Sequence, residues 1–545
     1  MPDERSHEQP GQAVERLRQA LAARPDAVPL LRELARAYVH ARSLVPALET
    51  LDRLIELGVA DAADWLEAGR ALSDVGEYAQ ALAALRNSLE LAPTPEARYE
   101  LARAAFDLGD LEGAKRNFES TAHELDSLHA WMSLAKVIPG VPSATHATVR
   151  EVRSAFAQRL AREVLPPPRR SRCSPHPGHD RLRVGYVSAF FKRSNYMKPV
   201  WALVNHHDRR TFEIHLFSDT PFGSGWEGYE PQPSDRVHEV AALDHLELAR
   251  LVRECEIDLL IDLNSYSSTQ RLPLLLAPVA PITAAWFNLY ATSGLPGIDL
   301  VIGDREVVRA EEESEYTERV VCLPGSYLTF QVGHRAPPIG PPPCAGHGYV
   351  TFGSLVSQYK LTDIVLDDWA AILRRAESSR LLLGNRALRS TCNREYLQQQ
   401  FADRGIDVER IGFLPPAEHY EFLNHYNRID VALDAYPYNG GTTTMEAIWQ
   451  GVPVLTFDGD RWASRTSQTL LRRTHLAEFV AADRRAYVET AAAIADDPQA
   501  PSRLALLRSE MRERLLASPA CDAAGLARQM EKIYLRAASE GASPG

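Results

Sequence analysis

Cysteine is scarce in this 545-residue chain. There are six, at Cys173, Cys255, Cys322, Cys344, Cys392 and Cys521, and none forms a C-x-x-C pair. A disulfide framework or a thiolate metal site is therefore not expected, and a reducing compartment suits the pattern. Cys255, Cys322 and Cys521 lie in or beside apolar runs and read as buried thiols. Long apolar runs are missing too. No stretch approaches the roughly 20 residues that span a bilayer, and the first twelve residues have no apolar core of the kind a signal peptide carries. Excess positive charge is also absent. The chain has 60 Lys and Arg against 72 Asp and Glu, a net charge of -12, which argues against broad electrostatic binding to nucleic acid. These absences leave a cytoplasmic globular protein with no membrane or nucleic-acid partner. Apolar residues make up 45% and charged residues 24%, ordinary for a globular chain, and the length suffices for roughly two to four domains.

What is present first is repetition. Small residues recur at Ala35, Gly69, Ala102 and Ala135, in steps of 33 or 34. A second register runs through Ala13, Ala47, Ala81 and Ala114, and a third through Leu17, Leu51, Leu85 and Phe118. The clearest unit carries Trp65, Gly69, Gly76, Tyr78, Ala81, Leu85 and Pro93, and it resembles the tetratricopeptide pattern. Physically this is a helix–turn–helix unit. Small residues let its two helices approach, large ones fill the space between units, and the proline ends the second helix. About three full repeats with partial ones at each end are expected over residues 11–140. Stacked repeats generate a concave face. Two readings of it stay open: a surface that holds a protein or peptide, and a packing or oligomerisation arm.

Residues 164–181 begin VLPPPRRSRCSPHPGHD, a proline-rich stretch that favours extended geometry and marks a joint. A connecting helix and this linker are expected over 141–181. Beyond it, short β-branched runs alternate with helical segments. A first lobe, 182–335, offers strands at 183–188, 212–217, 259–263 and around 301–302, with an amphipathic stretch at 243–256. A second proline- and glycine-rich joint covers 333–348. The second lobe, 348–540, offers strands at 349–352, 381–383, 411–414, 431–433 and 454–457. Strands alternating with helices argue for parallel sheets covered on both faces. The expected class is therefore α + α/β, with a cleft between two lobes and ligands beyond the carboxyl ends of the strands.

Two segments carry chemistry. Residues 433–451 read LDAYPYNGGTTTMEAIWQG. A strand ends at Asp434, a turn follows with Pro437 and Asn439-Gly440-Gly441, and three threonines open a helix. Glycine lets a backbone approach a ligand closely, and exposed amides at the positive end of a helix dipole favour phosphate. Thr442, Thr443 and Thr444 add hydroxyl donors, and Glu446, one turn in, is placed to accept a ribose hydroxyl. The same residues also suit a helix after a tight turn with threonine as its cap. Residues 349–363 read YVTFGSLVSQYKLTD. A strand ends near Phe352, and a polar loop carries Ser354, Ser357 and Lys360 into a helix. A lysine at the end of a strand can stabilise charge developing on a diphosphate leaving group. A solvated surface lysine is the alternative.

Together these segments resemble the O-GlcNAc transferase and SPINDLY group, glycosyltransferase family 41. The family's F-G-S-F-N-N-x-x-K-[IL]-[TS] is matched by FGSLVSQYKLT. Its L-D-x-x-P-Y-N-x-x-T-T-x-x-[DE]-x-x-W-x-G is matched by LDAYPYNGGTTTMEAIWQG. RVGYVS at 183–188, LAPVAPITAAWF at 276–287 and ASRTSQTLL at 463–471 are also similar, in order and spacing, and tetratricopeptide repeats upstream are the family's arrangement. The resemblance implies a GT-B module of two Rossmann-like lobes. It also implies inverting, metal-independent transfer of a sugar from a nucleotide-sugar to a serine or threonine of a protein. The donor is a co-substrate, UDP-linked with UDP-N-acetylglucosamine as the family default, and no cofactor or metal is implied. Carried over by position, Lys360 contacts the diphosphate and assists its departure, Thr442 and Thr443 bind phosphate, and Glu446 holds the ribose. Phe422 takes the place of a base-stacking histidine, and Ala417 lines the base pocket. Asn439, Gly440, Gly441, Thr444 and Ser357 complete the expected donor site. Arg465 is expected there as a phosphate or a structural contact.

The chain departs from the family pattern on the sugar and acceptor side. Ser194 stands where the family carries a histidine. NSYSS at 264–268, with Tyr266, replaces a G-H-T or G-Y-T turn. Asn288, Leu289, Tyr290 and Ala291 replace part of W-x-G-Y-P-G-T-[ST]-G, and Val356 and Ser357 replace two asparagines. Asp262 and Tyr266 are then the candidate bases, although Asp262 also suits a turn cap at a strand end. The acceptor stays open between a protein presented by the repeat arm and a small molecule, a glycan or an asparagine side chain. A scaffold that binds without catalysing is the third reading.

Overall fold

The computed structural model describes residues 10–168 and 180–540. The arm opens with helix Pro10–Ala23. Four antiparallel pairs follow: Val28–His40 with Leu44–Glu56, Ala62–Val75 with Tyr78–Leu91, Pro95–Leu108 with Leu111–Leu125, and Leu128–Val137 with His146–Glu163. The repeat of small residues explains the pairing. Ala35, Ala102 and Ala135 are buried between helices. At Gly69 a Cβ would stand 2.4 Å from Cγ of Leu85, so only glycine fits without moving the partner helix. The arm runs beyond the expected limit of 140, because the helix expected as a connector is the second member of the last pair. The centre of the proline-rich linker, with Cys173, lies outside the described residues.

The first lobe is a seven-stranded parallel sheet: β1 (Leu182–Ser188), β2 (Phe212–Ser218), β3 (Arg236–Glu239), β4 (Leu259–Asp262), β5 (Ile282–Trp286), β6 (Leu300–Asp304) and β7 (Arg319–Leu323). Its order is β3-β2-β1-β4-β5-β6-β7. The second lobe has β8 (Thr351–Ser354), β9 (Arg380–Leu383), β10 (Ile411–Phe413), β11 (Val431–Leu433), β12 (Val454–Phe457) and β13 (Val480–Ala481), in the order β10-β9-β8-β11-β12-β13. Both sheets wind the same way. The chain moves outward from its first strand, returns, and continues on the other side. The reversal lies between β1 and β4 in one lobe and between β8 and β11 in the other. At such a point the loops leave in opposite directions and open a crevice at the strand ends. β4 and β6, buried on both faces, are legible as apolar runs, whereas β5, equally buried, is not singled out as a strand by the sequence reading.

The end of the chain corrects the expected boundary of 348–540. The last helix, Ala523–Glu540, leaves the second lobe and packs on the first. The Tyr534 hydroxyl lies 3.1 Å from that of Tyr186, both buried, and Glu531 accepts from the Asp208 amide at 2.8 Å. Among the described residues, no helix is long and apolar enough to cross a membrane.

Candidate active site in the cleft between the lobes

The two chemistry-bearing segments leave neighbouring strands. β8 pairs with β11, and the Ser354 hydroxyl donates to the Leu433 carbonyl at 2.9 Å where both strands end. From there the segments diverge and meet again. Lys360 Nζ donates to the Asn439 carbonyl at 2.7 Å and stands 4.3 Å from the centre of the Tyr438 ring. Burial pulls the Lys360 ammonium down to about 8, and the nearby Asp434 carboxylate works in the opposite direction. Asp434 is itself buried, which raises its carboxyl. Its oxygens accept from the amides of Ala435 and Gly440, both at 3.0 Å, and from the Thr456 hydroxyl at 2.8 Å. One carboxylate thus shapes the glycine turn and supplies the negative charge beside the lysine.

Helix Thr442–Trp449 begins after Gly441, and no side chain caps it. The threonine-cap alternative is therefore not what the fold uses. Thr442 and Thr443 are half-buried at the open end, where the helix dipole and hydroxyls suit an anion. A Cβ on Gly440 would stand 2.6 Å from Oγ1 of both Thr443 and Thr444, so the turn closes only with glycine there. Thr444 and Asn439 depart from their expected roles. The Thr444 hydroxyl is buried 2.8 Å from that of Ser467. The Asn439 side chain donates to the Ala435 carbonyl at 2.8 Å, bracing the loop. Both are held by packing and do not face the cleft as ligands.

Glu446 is buried one turn into the helix. Its Oε1 lies 2.8 Å from His419 Nε2 and 3.5 Å from Lys198 Nζ. Lys198 comes from helix Ser194–Val204 of the first lobe, so this contact crosses the cleft. Ala417 is exposed on the loop after β10. Phe422 is half-buried and meets Tyr426 edge-on at 6.1 Å, and the Tyr426 hydroxyl donates to the Thr443 carbonyl at 3.0 Å. Ser357 is exposed where the Lys360 turn begins, its carbonyl accepting from the Lys360 amide at 3.0 Å.

Three expected residues take structural places. Arg465 is 1% exposed and pairs with both oxygens of Glu312 at 2.7 and 2.8 Å, also donating to the Gly459 carbonyl at 2.7 Å. It is a strut between lobes, with its guanidinium committed. Asp262 accepts from the Asn264 and Ser265 amides at 3.1 and 2.8 Å. It caps its own turn, as an aspartate ending a strand can, although burial pushes its carboxyl up to about 6. The Tyr266 hydroxyl donates to the Ser293 carbonyl at 2.7 Å, its ring lies 4.1 Å below the Arg153 guanidinium, and burial raises its phenol. Both candidate bases are buried and hydrogen-bonded within the first lobe.

Some of the residues that depart from the family pattern, Tyr266, Asn288, Leu289 and Tyr290, gather elsewhere. A cavity of about 250 Å³ is lined by Phe106 and Arg153 of the arm, Tyr266 and Tyr290 of the first lobe, and Tyr359 and Tyr438 of the second. Phe106 stacks on Tyr359 at 5.0 Å, and Tyr290 meets Tyr438 edge-on at 5.1 Å. The cavity therefore opens beside the ring that Lys360 covers. Sequence reasoning missed Phe106 in this cavity and Lys198 in the cleft. Only the position of Lys198, in the helix that begins at Ser194 where the family carries a histidine, gave a hint of it.

Away from the cleft, His215, His238 and Cys255 lie close together. The two imidazoles have nitrogens 3.1 Å apart and ring centres 5.3 Å apart, with planes 14° from parallel. The excess of one distance over the other is about one ring diameter, so the rings lie edge to edge with their nitrogens aimed at each other. Glu213, 3.2 Å from the far nitrogen of His215, completes a hydrogen-bonded relay. Ligands to one metal ion would instead have to converge on a third point.

A family model described as Glycosyl transferase family 41 matches residues 168–336 and 347–530, and tetratricopeptide models match 5–70 and 66–115. The chain is 28% identical over 361 residues to a probable UDP-N-acetylglucosamine–peptide N-acetylglucosaminyltransferase SPINDLY of Solanum lycopersicum, covering 65% of this chain and 38% of that protein. It is 25% identical over 370 residues to the probable UDP-N-acetylglucosamine–peptide N-acetylglucosaminyltransferase SEC of Arabidopsis thaliana, covering 66% and 37%. The chain thus spans well under half the length of these curated relatives. A solved O-GlcNAc transferase mutant of Thermobaculum terrenum superposes with a TM-score of 0.77 at 25% identity, over 98% of this chain and 99% of that one. Repeats, two like-wound lobes and a matched family model across both lobes lead to one statement: the chain belongs to glycosyl transferase family 41.

Proposed function

We propose that the protein is an inverting, metal-independent glycosyltransferase that moves a sugar from a UDP-linked donor, UDP-N-acetylglucosamine first among them, to a serine or threonine of a protein. The observation that carries this is the meeting of Lys360 with the loop that opens an uncapped helix, at the reversal point of the second sheet. The relatives' names support the donor and the acceptor class. In this reading the diphosphate sits at the amides and hydroxyls of Thr442 and Thr443. Lys360 and the helix dipole supply the positive charge that neutralises the departing diphosphate. The acceptor hydroxyl attacks the anomeric carbon from the opposite face, the bond to the phosphate oxygen breaks, and UDP leaves. Asp262 and Tyr266 are committed to the Asn264–Ser265 turn and the Ser293 carbonyl, so the acceptor proton passes to a phosphate oxygen of the donor. The cavity between arm and lobes receives the acceptor, and the arm presents the polypeptide.

The test is release of UDP from UDP-N-acetylglucosamine by the full chain, with mass spectrometry of the modified protein. Lys360→Met is expected to lower kcat by ~100- to 1,000-fold, as for loss of one charge-stabilising group, with a smaller change in KM. An undiminished kcat overturns the leaving-group role. The aromatic walls of the 250 Å³ cavity favour one second reading, a compact acceptor such as a glycan or small molecule. Sugar found only on such a molecule, and on no serine or threonine, would establish it.

A further inference from the structure

The cavity beside Tyr438 has charged walls of one sign. Among the described residues that line it, Lys136 and Arg153 are the charged ones, both from the last pair of arm helices, and no carboxylate joins them. Arg153 is 2% exposed. Its Nε donates to the Ala135 carbonyl at 3.1 Å, and its Nη1 to the carbonyls of Thr292 and Leu289 at 2.7 and 3.5 Å. Among the described residues its Nη2 has no hydrogen-bond partner and the guanidinium has no ion pair. Glu318, whose charge reaches it, accepts instead from the Thr292 hydroxyl at 2.8 Å and the Ser293 amide at 2.7 Å. Buried charges are ordinarily paired, so a guanidinium with only carbonyls and a ring beside it makes this wall a place for an anion.

The repeat shows why Lys136 adds to that charge. A basic residue follows the small one in successive units, at Arg70, Arg103 and Lys136. In the earlier units it is neutralised. Arg70 pairs with Glu67 at 2.8 Å and Glu100 at 3.2 Å, and Arg103 with Glu100 at 2.7 Å and Asp74 at 3.5 Å. The last unit drops both acids. Ser133 stands where Glu67 and Glu100 stand, and Gly140, which lines the cavity, stands where Asp74 and Asp107 stand. Asp107 feels the Lys136 charge, but no ion pair joins the two. Lys136 is left as an exposed ammonium at the cavity.

Resting on the protein-acceptor reading, we propose that this cavity selects acidic acceptors: Lys136 and Arg153 hold the carboxylate of an aspartate or glutamate close in sequence to the serine or threonine that receives the sugar. Tyr438 is both a wall of the cavity and the ring under Lys360. The acid and the hydroxyl therefore lie within about three residues of each other, roughly 10 Å of extended chain. The aromatic walls exclude water and strengthen the pairing. The last two arm helices thus choose the acceptor by charge, while the donor stays with the second lobe.

A library of serine and threonine peptides, randomised around the hydroxyl, tests this with the full chain and UDP-N-acetylglucosamine, the modified peptides being sequenced by mass spectrometry. In the wild type, aspartate and glutamate should be enriched about 10-fold within three residues of the modified hydroxyl, the scale of a hydrogen bond to a charged group. Lys136→Glu should abolish that enrichment and favour lysine and arginine in its place. Lys136→Gln, which should abolish it without the reversal, serves the comparison should a melting curve show the glutamate variant unfolded. The donor's diphosphate is the other anion at hand, so calorimetric titration with UDP accompanies each variant, and its Kd should stay within about twofold of wild type. Transfer without acidic enrichment, or enrichment that survives in a folded variant, overturns the proposal and leaves the protein-acceptor reading standing. Weakened UDP binding with the peptide preference intact overturns it too. Transfer to no peptide at all overturns both.

Discussion

Lys360 carries a conditional charge. Its free-protein value of about 8 places it in the range where a modest rise in pH removes the ammonium that the leaving group needs. Because kcat/KM reports groups of the free enzyme, it should fall as pH rises through about 8. Lys360→Arg, whose guanidinium stays charged, should lose that alkaline limb while turning over more slowly. Stability moves the other way. Between about 8 and the ordinary lysine value near 10.4, the unfolded chain binds a proton that the folded one does not, so stability rises with pH there. A profile of kcat/KM that stays flat from about pH 7 to 9.5 would contradict the assignment. Asp262 offers the opposite case. As a cap on the Asn264–Ser265 turn, its replacement in Asp262→Asn should cost roughly 1–2 kcal/mol of stability and little kcat. A general base would lose ~100-fold or more in kcat, and measuring kcat beside a denaturation curve separates the two.

Among the elements, the arm does more than precede the lobes. The end of helix Pro95–Leu108 presses on the Lys360 loop. Gly109 has φ +97°, and a Cβ there would stand 2.3 Å from the Leu361 carbonyl oxygen. Gly109→Ala should therefore push this loop away, destabilise the protein by ~1–3 kcal/mol, and lower kcat although residue 109 touches no donor. A variant with wild-type kcat would show that the seam is slack. Such seams mark where sequence reading stops. β1 was legible because its inner residues, 184–187, are buried on both faces and read as a short apolar run. β3 reads RVHE at an exposed edge, and β13 has two residues, so neither has a pattern to find. That the Lys360 loop and the Asn439–Glu446 segment leave neighbouring strand ends was legible, because strand ends and a glycine turn are local in sequence. Thr444 sits where its sequence neighbours gave no sign, and Arg465 could not be resolved between a phosphate and a structural contact, because Ser467 and Glu312, their partners, come from other elements. Lys198 went unseen because Glu446 lies in the other lobe.

For the whole molecule, the three bodies converge on Glu312. This residue belongs to the first lobe. Its carboxylate pairs with Arg465 of the second lobe at 2.7 Å and lies 3.6 Å from His146 of the arm. Against the burial that would raise it, His146 and Arg465 hold the Glu312 carboxyl down at about 2. A carboxyl lowered by folding stabilises the native state above its unfolded value, near 4.3, and that contribution is lost as pH falls from there toward 2. The shift corresponds to roughly 3 kcal/mol at neutral pH. Glu312→Gln removes this titration and leaves the nearly buried Arg465 guanidinium without its counter-charge, which costs about 3–5 kcal/mol. The variant should thus be less stable than the wild type at pH 7, and the gap should narrow between about pH 4.5 and 2.5. Its kcat/KM at pH 7 should fall as well, because Lys360 on one lobe and the acceptor cavity shared by all three bodies then lose their common anchor. Urea denaturation at several pH values reads the stability gap, and curves that stay parallel from pH 7 to 2.5 would show that Glu312 is not the joint.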